Sequence, residues 1–297
     1  MKLVTFKTTN DTIHAGVVRG ERVLLLNYPT LLELLQDPKG MAKARQLLES
    51  KQPGMALDTV TLLPPVPNPP TLRDFYAFEQ HVKAARARRG LAMIPEWYEY
   101  PTFYFSNTSE LYGHDEPVPY PHGCKELDIE LEVACIIGRE GKDISSDEAA
   151  EYIAGYTIMN DWSARDFQRL DMKLNLGPGK GKDFATSLGP WLVTPDELAM
   201  RRTGSGANER YDMTMLARVD GQEISRGNFN QIYYSFPQII AQASRNARLR
   251  PGDVIGSGTV GTGCLLELGT EVHPWLQRGA TIELEVEGLG VLRNRIE

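Results

Sequence analysis

An α+β fold is what this sequence predicts: a mixed β-sheet roll or sandwich preceded by a small N-terminal α+β unit. Three observations carry the expectation. Short strand-like segments recur along the chain with few helical stretches between them, which fits a roll or sandwich better than a doubly wound parallel sheet. Five prolines fall within Pro64-Pro65-Val66-Pro67-Asn68-Pro69-Pro70; proline removes backbone donors and biases its predecessor toward extended geometry, so this is a stiff linker and the best boundary in the chain. Finally, the run 127–137 is apolar enough to be a central strand.

The boundary divides the chain into a small unit (1–63), the linker (64–70) and one larger domain (71–297). The small unit has strand signals near 2–7, 13–18 and 22–26, then helical pieces at 31–36 and 41–51. The larger domain opens with a helix or irregular loop over 74–89, followed by strands at 102–105 and 127–137. Ser145-x-x-Glu148 has the form of a capping box and predicts a helix to about Ala154. A short strand covers 156–159, and helical spacing runs from Asp161 to Lys173. Thr194-Pro195-Asp196-Glu197 is a second capping box, with proline at the first helical position. Asp220-Gly221 and Gly288–Gly290 mark hairpins, and 235–249 is helical until Arg250-Pro251-Gly252. The remainder is β-rich.

Composition bounds the function. The chain has 297 residues, a net charge of −7 and 24% charged residues, an ordinary globular composition. Its acidic balance disfavours a phosphate-binding surface for nucleic acid and a polybasic membrane contact. No stretch approaches the roughly 20 apolar residues that span a bilayer. The opening residues alternate like a strand and lack a signal-peptide apolar region. Cys124, Cys135 and Cys264 form no zinc spacing. A cytoplasmic, reduced protein is therefore expected.

Several segments carry chemistry. In Asp128-Ile129-Glu130-Leu131-Glu132, strand alternation projects Glu130 and Glu132 to one side. They form either a solvated acidic face, since Asp128 shares their parity, or an oxygen site for a hard divalent cation. Asp161 begins a helical pattern with Arg165 and Gln168 on its face; it is either an N-cap or part of a site for a metal and an anion. Arg73-Asp74-Phe75-Tyr76 leads into His81 beside the linker, a common place for pockets. Gly256-Ser257-Gly258-Thr259-Val260-Gly261 fits a dinucleotide fingerprint, but strand-like sequence follows where a helix should open, so no nucleotide is expected there. Gly177-Pro178-Gly179-Lys180-Gly181-Lys182 lacks Walker spacing; it is a solvated basic loop or one that carries Lys182 into a pocket.

Together, from about Leu72 to the C-terminus, these segments resemble the fumarylacetoacetate hydrolase (fumarylacetoacetase) family. The matching motifs are Asp74-Phe75-Tyr76 with Gln80-His81, Leu127-Asp128-Ile129-Glu130-Leu131-Glu132, Met159-Asn160-Asp161-Trp162-Ser163-Ala164-Arg165-Asp166-x-Gln168, Gly181-Lys182-x-Phe184-x-Thr186, Leu249-Arg250-Pro251-Gly252-Asp253, Ser257-Gly258-Thr259 and Leu266-Glu267-Leu268. The resemblance implies that Asp74, Glu130, Glu132 and Asp161 hold a divalent cation (Mg²⁺, Ca²⁺ or Mn²⁺). It implies His81 as the base that activates water, oriented by Glu267, with Arg165, Gln168 and Lys182 stabilising an oxyanion. Tyr76, Thr259 and Arg89 are its substrate contacts, although Arg89 stands one residue short of the family spacing. Met172 replaces a tyrosine of the fumarylacetoacetate-cleaving members, and Ser106 stands where many smaller relatives have lysine. The implied activity is hydrolysis of a carbon–carbon bond in a β-diketo acid, an acylpyruvate or a fumarylacetoacetate-like compound, by a homodimer. The alternatives are a 2-keto acid decarboxylase, isomerase or dehydratase on the same fold, and a non-enzymatic binder of such acids, which would need neither His81 nor Glu267.

Overall fold

The computed structural model describes residues 1–88 and 90–297. A twelve-stranded mixed sheet organises the molecule. Its main path runs through Met55–Ala56, Arg22–Leu25, Ile13–Arg19, Lys2–Lys7, Thr186–Val193, Ile153–Asp161, Leu131–Ile137, Val254–Gly256, Leu72–Phe75 and Phe103–Ser106. Thr61–Leu62 and Leu111–Tyr112 pair beside this path. Most neighbours are antiparallel, but Val254–Gly256 runs parallel to Leu72–Phe75. A second, antiparallel sheet contains Gln222–Asn228, Thr214–Val219, Thr281–Val286 and Gly290–Arg295. This is the α+β sheet architecture that the sequence predicts.

Strand Leu131–Ile137 is buried along its whole length, which explains its nearly continuous apolar sequence. Alternation then sorts its side chains. Leu131, Val133, Cys135 and Ile137 join the larger core, which holds Met215, Leu284 and Leu292 of the second sheet. Ala134 and Ile136 point the other way, into a core shared with Leu3, Val17 and Leu24 and with Leu31 and Leu34 of the helix Leu31–Gln36. The first 62 residues thus add strands to one end of the main sheet and cover part of one face. The proline segment packs against them, with Val66 fully buried and the Thr5 hydroxyl donating to the Pro65 carbonyl over 2.7 Å.

Several local expectations are corrected. Asp74 lies on the strand Leu72–Phe75, and the helix starts only at Glu79. The single strand expected over 127–137 is interrupted: Leu127–Asp128 pairs with Ser163–Ala164, and Leu131–Ile137 with Ile153–Asp161. In the break, the Asn160 side chain accepts the Glu130 backbone N–H over 3.0 Å. The helix expected from Asp161 starts at Arg165, because Asp161 is still paired with Thr186 in the sheet. The Ser145 box gives only a 3₁₀ turn, Ala149–Tyr152, because the next strand begins at Ile153. The stretch expected to turn strand-like after Gly261 instead holds a short helix, Leu265–Leu268. Among the described residues, no helix is long and apolar enough to cross a membrane.

Candidate metal and acid-base centre

Strand register assembles the site. Directly opposed residues on paired strands share a face. Glu132 pairs with Met159, two residues before Asp161. Ala134, two residues after Glu132, pairs with Gly256. Gly256 pairs with Asp74, and Asp74 with Tyr104. Asp74, Tyr104, Glu132 and Asp161 therefore project from one face of four different strands. Gly256 lies between the Asp74 and Glu132 strands and must lack a side chain: a Cβ there would meet Asp74 Oδ1 at 2.5 Å and Met159 Cε at 2.3 Å.

Glu130, from the strand break, completes the cluster. One carboxylate oxygen from each of Asp74, Glu130, Glu132 and Asp161 lies within 4.8 Å of the others, and all four residues are buried. Asp128 does not join them, and the solvated acidic face is ruled out because Asp128, Glu130 and Glu132 are all buried. Lys182 Nζ donates to Glu130 Oε2 at 2.6 Å and to Asp161 Oδ2 at 2.5 Å. The Tyr104 hydroxyl donates to Asp161 Oδ2 at 2.5 Å. The backbone N–H of Gly258 donates to Glu132 Oε2 at 3.0 Å and Asp74 Oδ1 at 3.2 Å.

This balance leaves unmet demand. Glu132 Oε1 and Asp161 Oδ1 are buried with no hydrogen-bond partner among the described residues. Burial, then the Asp161 charge, pushes Asp74 well above the usual carboxylate range. Burial, then Asp74 and Glu130, does the same to Glu132. Burial also opposes ionisation of Glu130, but Lys182 and Arg165 prevail and hold its carboxyl low. Burial likewise works against the Lys182 ammonium, yet Asp161 and Glu130 keep it charged. Four buried carboxylates crowded in this way need more positive charge than Lys182 and Arg165, itself shared with Asp128, supply. An all-oxygen donor set with two oxygens unsatisfied fits a hard divalent cation.

A second cluster adjoins the first. His81, on the helix Glu79–Ala87, shares a short hydrogen bond through Nδ1 with Glu267 Oε1. The other Glu267 oxygen accepts the Thr262 N–H at 3.0 Å. The Tyr76 ring stands edge-on to the imidazole with centroids 5.2 Å apart. Arg165 uses three of its five N–H donors: Nε donates to Asp128 at 2.8 Å, Nη2 to Glu130 at 2.8 Å and Nη1 to Gln168 Oε1 at 3.0 Å. The Thr259 hydroxyl is buried and donates to the Leu131 carbonyl at 3.2 Å. Arg89 lies outside the described residues.

Sequence reasoning missed three contributors. Tyr104 lay in an expected strand, and only its pairing with Asp74 shows where it points. Gly258 appears in the sequence as part of a nucleotide-like glycine run and of the family motif Ser257-Gly258-Thr259, neither of which shows that its N–H meets two carboxylates. Asp128 was weighed as an exposed acid. Its carboxylate accepts from Arg165 and from the Leu265 and Leu266 N–H groups, at 2.7 and 3.0 Å, which start the helix bearing Glu267.

Comparison with known proteins identifies the family. The family model described as fumarylacetoacetate (FAA) hydrolase C-terminal matches residues 71–297. The fumarylacetoacetase of Arabidopsis thaliana is 33% identical over 241 residues, which is 66% of this chain but only 57% of that protein. The mitochondrial oxaloacetate tautomerase of Homo sapiens is 29% identical over 308 residues, covering 100% of this chain and 91% of that protein. Among solved structures, the 5-carboxymethyl-2-hydroxymuconate delta-isomerase of Mycobacterium smegmatis superposes with a TM-score of 0.72 at 25% identity, over 100% of this chain and 99% of that one. With a match over its entire larger region, the chain belongs to the fumarylacetoacetate hydrolase family.

Proposed function

We propose that this protein is a divalent-metal-dependent hydrolase that cleaves a carbon–carbon bond in a small anionic β-diketo acid of the acylpyruvate class. The observation that carries the reading is the buried His81–Glu267 pair beside the four-carboxylate cluster. Asp74, Glu130, Glu132 and Asp161 would hold the cation, Mg²⁺, Ca²⁺ or Mn²⁺. When bound, such an ion supplies Lewis-acid polarisation of the keto oxygens and stabilises enolate charge.

The chain's own residues do the rest. Glu267 holds the Nδ1 proton and fixes the ring, so Nε2 is the nitrogen that takes a proton from water. The Glu267 carboxylate then steadies the imidazolium. The hydroxide attacks the carbonyl carbon, and the developing oxyanion is met by donors from Arg165, Gln168 and Lys182. Arg165 and Lys182 are already charged, buried and aligned by Glu130, so little reorganisation is needed. The carbon–carbon bond then breaks, and the imidazolium returns its proton to the leaving carbanion. Tyr76, Arg89 and Thr259 are proposed as substrate contacts; with its proton given to the Leu131 carbonyl, the Thr259 hydroxyl would act there as an acceptor.

A second reading is keto–enol isomerisation of a 2-keto acid by the same base. It is favoured by the end-to-end match to the oxaloacetate tautomerase, where the fumarylacetoacetase match covers little more than half of that protein. Product analysis separates the two. Hydrolysis of an acylpyruvate with Mg²⁺ yields pyruvate and a carboxylic acid and incorporates one oxygen from ¹⁸O-water. Tautomerisation alone yields neither product.

A further inference from the structure

Outside the carboxylate cluster lies a second set of ligating side chains. His81 Nδ1, Cys264 Sγ and a Glu267 oxygen lie within 4.8 Å of one another, and all three residues are buried. The thiol sulfur is 3.6 Å from Glu267 Oε1 and 4.0 Å from His81 Nδ1. Cys264 immediately precedes the short helix Leu265–Leu268, so its thiol and the Glu267 carboxylate rise from one turn toward the helix Glu79–Ala87. Ligands sharing a tetrahedral zinc, with bonds of 2.0–2.3 Å, sit roughly 3.5 Å apart. The two thiol distances are close to that spacing, whereas His81 Nδ1 and Glu267 Oε1, which share a short hydrogen bond, must part to admit a cation. The donor chemistry also differs from that of the neighbouring cluster: nitrogen and sulfur select zinc-like ions, whereas four oxygens select magnesium or calcium.

We propose that His81, Cys264 and Glu267 form an inhibitory site for a thiophilic divalent cation such as Zn²⁺, separate from the oxygen cluster, and that the cation stops turnover by capturing the base. The inhibitory half rests on the reading of His81 as that base. Charge and protons balance. A dication with one thiolate, one carboxylate and a neutral imidazole is uncharged overall, the form a buried site tolerates. Burial keeps Cys264 a thiol in the metal-free protein, so ligation displaces that one proton to solvent, as a coordinating thiol does. Bonding at Nδ1 moves the ring proton to Nε2. With Nε2 protonated, the imidazole has no lone pair with which to accept a proton from water.

The test reads the metal directly. The protein is saturated with Mg²⁺ to fill the oxygen cluster and then titrated with Co²⁺. A sulfur-to-cobalt charge-transfer band in the near ultraviolet is expected to saturate at one equivalent and to vanish on adding Zn²⁺. It should be absent in Cys264→Ser and Cys264→Ala and kept in Cys124→Ser, with folding checked by circular dichroism. His81→Gln, which keeps the thiol, should weaken Co²⁺ binding at least tenfold. No band in the wild type, or an undiminished band in the Cys264 variants, overturns the site. If the band depends on Cys264 but Zn²⁺ does not slow a turning-over wild-type enzyme, the inhibitory half is overturned. If no substrate in the acylpyruvate class is turned over, the reaction proposed above fails while the Co²⁺ result still decides the metal site.

Discussion

His81 and Glu267 are 186 residues apart in sequence, yet they share a buried hydrogen bond. No spacing rule pairs residues so distant, so sequence could supply the two names only through family resemblance. The carboxylates are half legible: the sequence names Glu130 and Glu132 as neighbouring acids, but Glu130 reaches the site from a strand break that alternation does not foresee, and Asp74 and Asp161 need strand register. At this scale, His81→Ala should lower turnover by about 10² to 10⁴ and leave Mg²⁺ affinity unchanged in calorimetry. The raised carboxyls of Asp74 and Glu132 give a pH prediction. Above their unfolded values of 3.8 and 4.5, the metal-free native state retains protons that the unfolded chain has lost. These two groups therefore make metal-free stability fall as pH rises through that window. Added Mg²⁺ binds the ionised form and stabilises the native state by mass action. Melting curves in EDTA from about pH 5 upward should show Tm falling, with the gain from Mg²⁺ growing as pH rises. A gain that shrinks with pH would contradict the ligand assignment.

Elements show where physical context overrode local signals. The helix pattern from Asp161 is real, but sheet pairing holds its first four residues extended, and this places the Asp161 carboxylate beside Lys182. The strand over 127–137 breaks so that Glu130 can face Arg165 and Lys182. Gly256 is required because two carboxylate-bearing strands close over it. Gly256→Ala should weaken Mg²⁺ binding at least tenfold, because the new methyl would meet Asp74 Oδ1 and Met159; unchanged affinity would refute that packing argument. Asp128 joins Arg165 to the turn that carries Glu267. In Asp128→Asn, an amide N–H replaces one accepting oxygen and leaves a buried guanidinium poorly paired, costing about 3 kcal/mol of stability. If Asp128 also positions the catalytic groups, kcat should fall while KM changes little.

For the whole molecule, the net charge of −7 has a local meaning. Four of the acids converge on one buried site, where a bound dication with Lys182 and Arg165 would attract a keto acid despite the overall charge. Phe105, Leu174 and Leu176 are exposed around a cavity of about 330 Å³ that also reaches Tyr104 and Lys182. Exposed apolar groups beside the site support the proposed homodimer, and light scattering should give twice the mass of one chain. In the proposed reaction, His81-activated water and a cation held by the carboxylates hydrolyse an acylpyruvate. This reaction is tested most directly by turnover of a small acylpyruvate panel with Mg²⁺ or Mn²⁺, wild type beside His81→Ala, with and without EDTA. The prediction is pyruvate release by the wild type, abolished by EDTA and lowered about a hundredfold or more by the substitution. Full hydrolysis by His81→Ala, or by the chelated wild type, would contradict it.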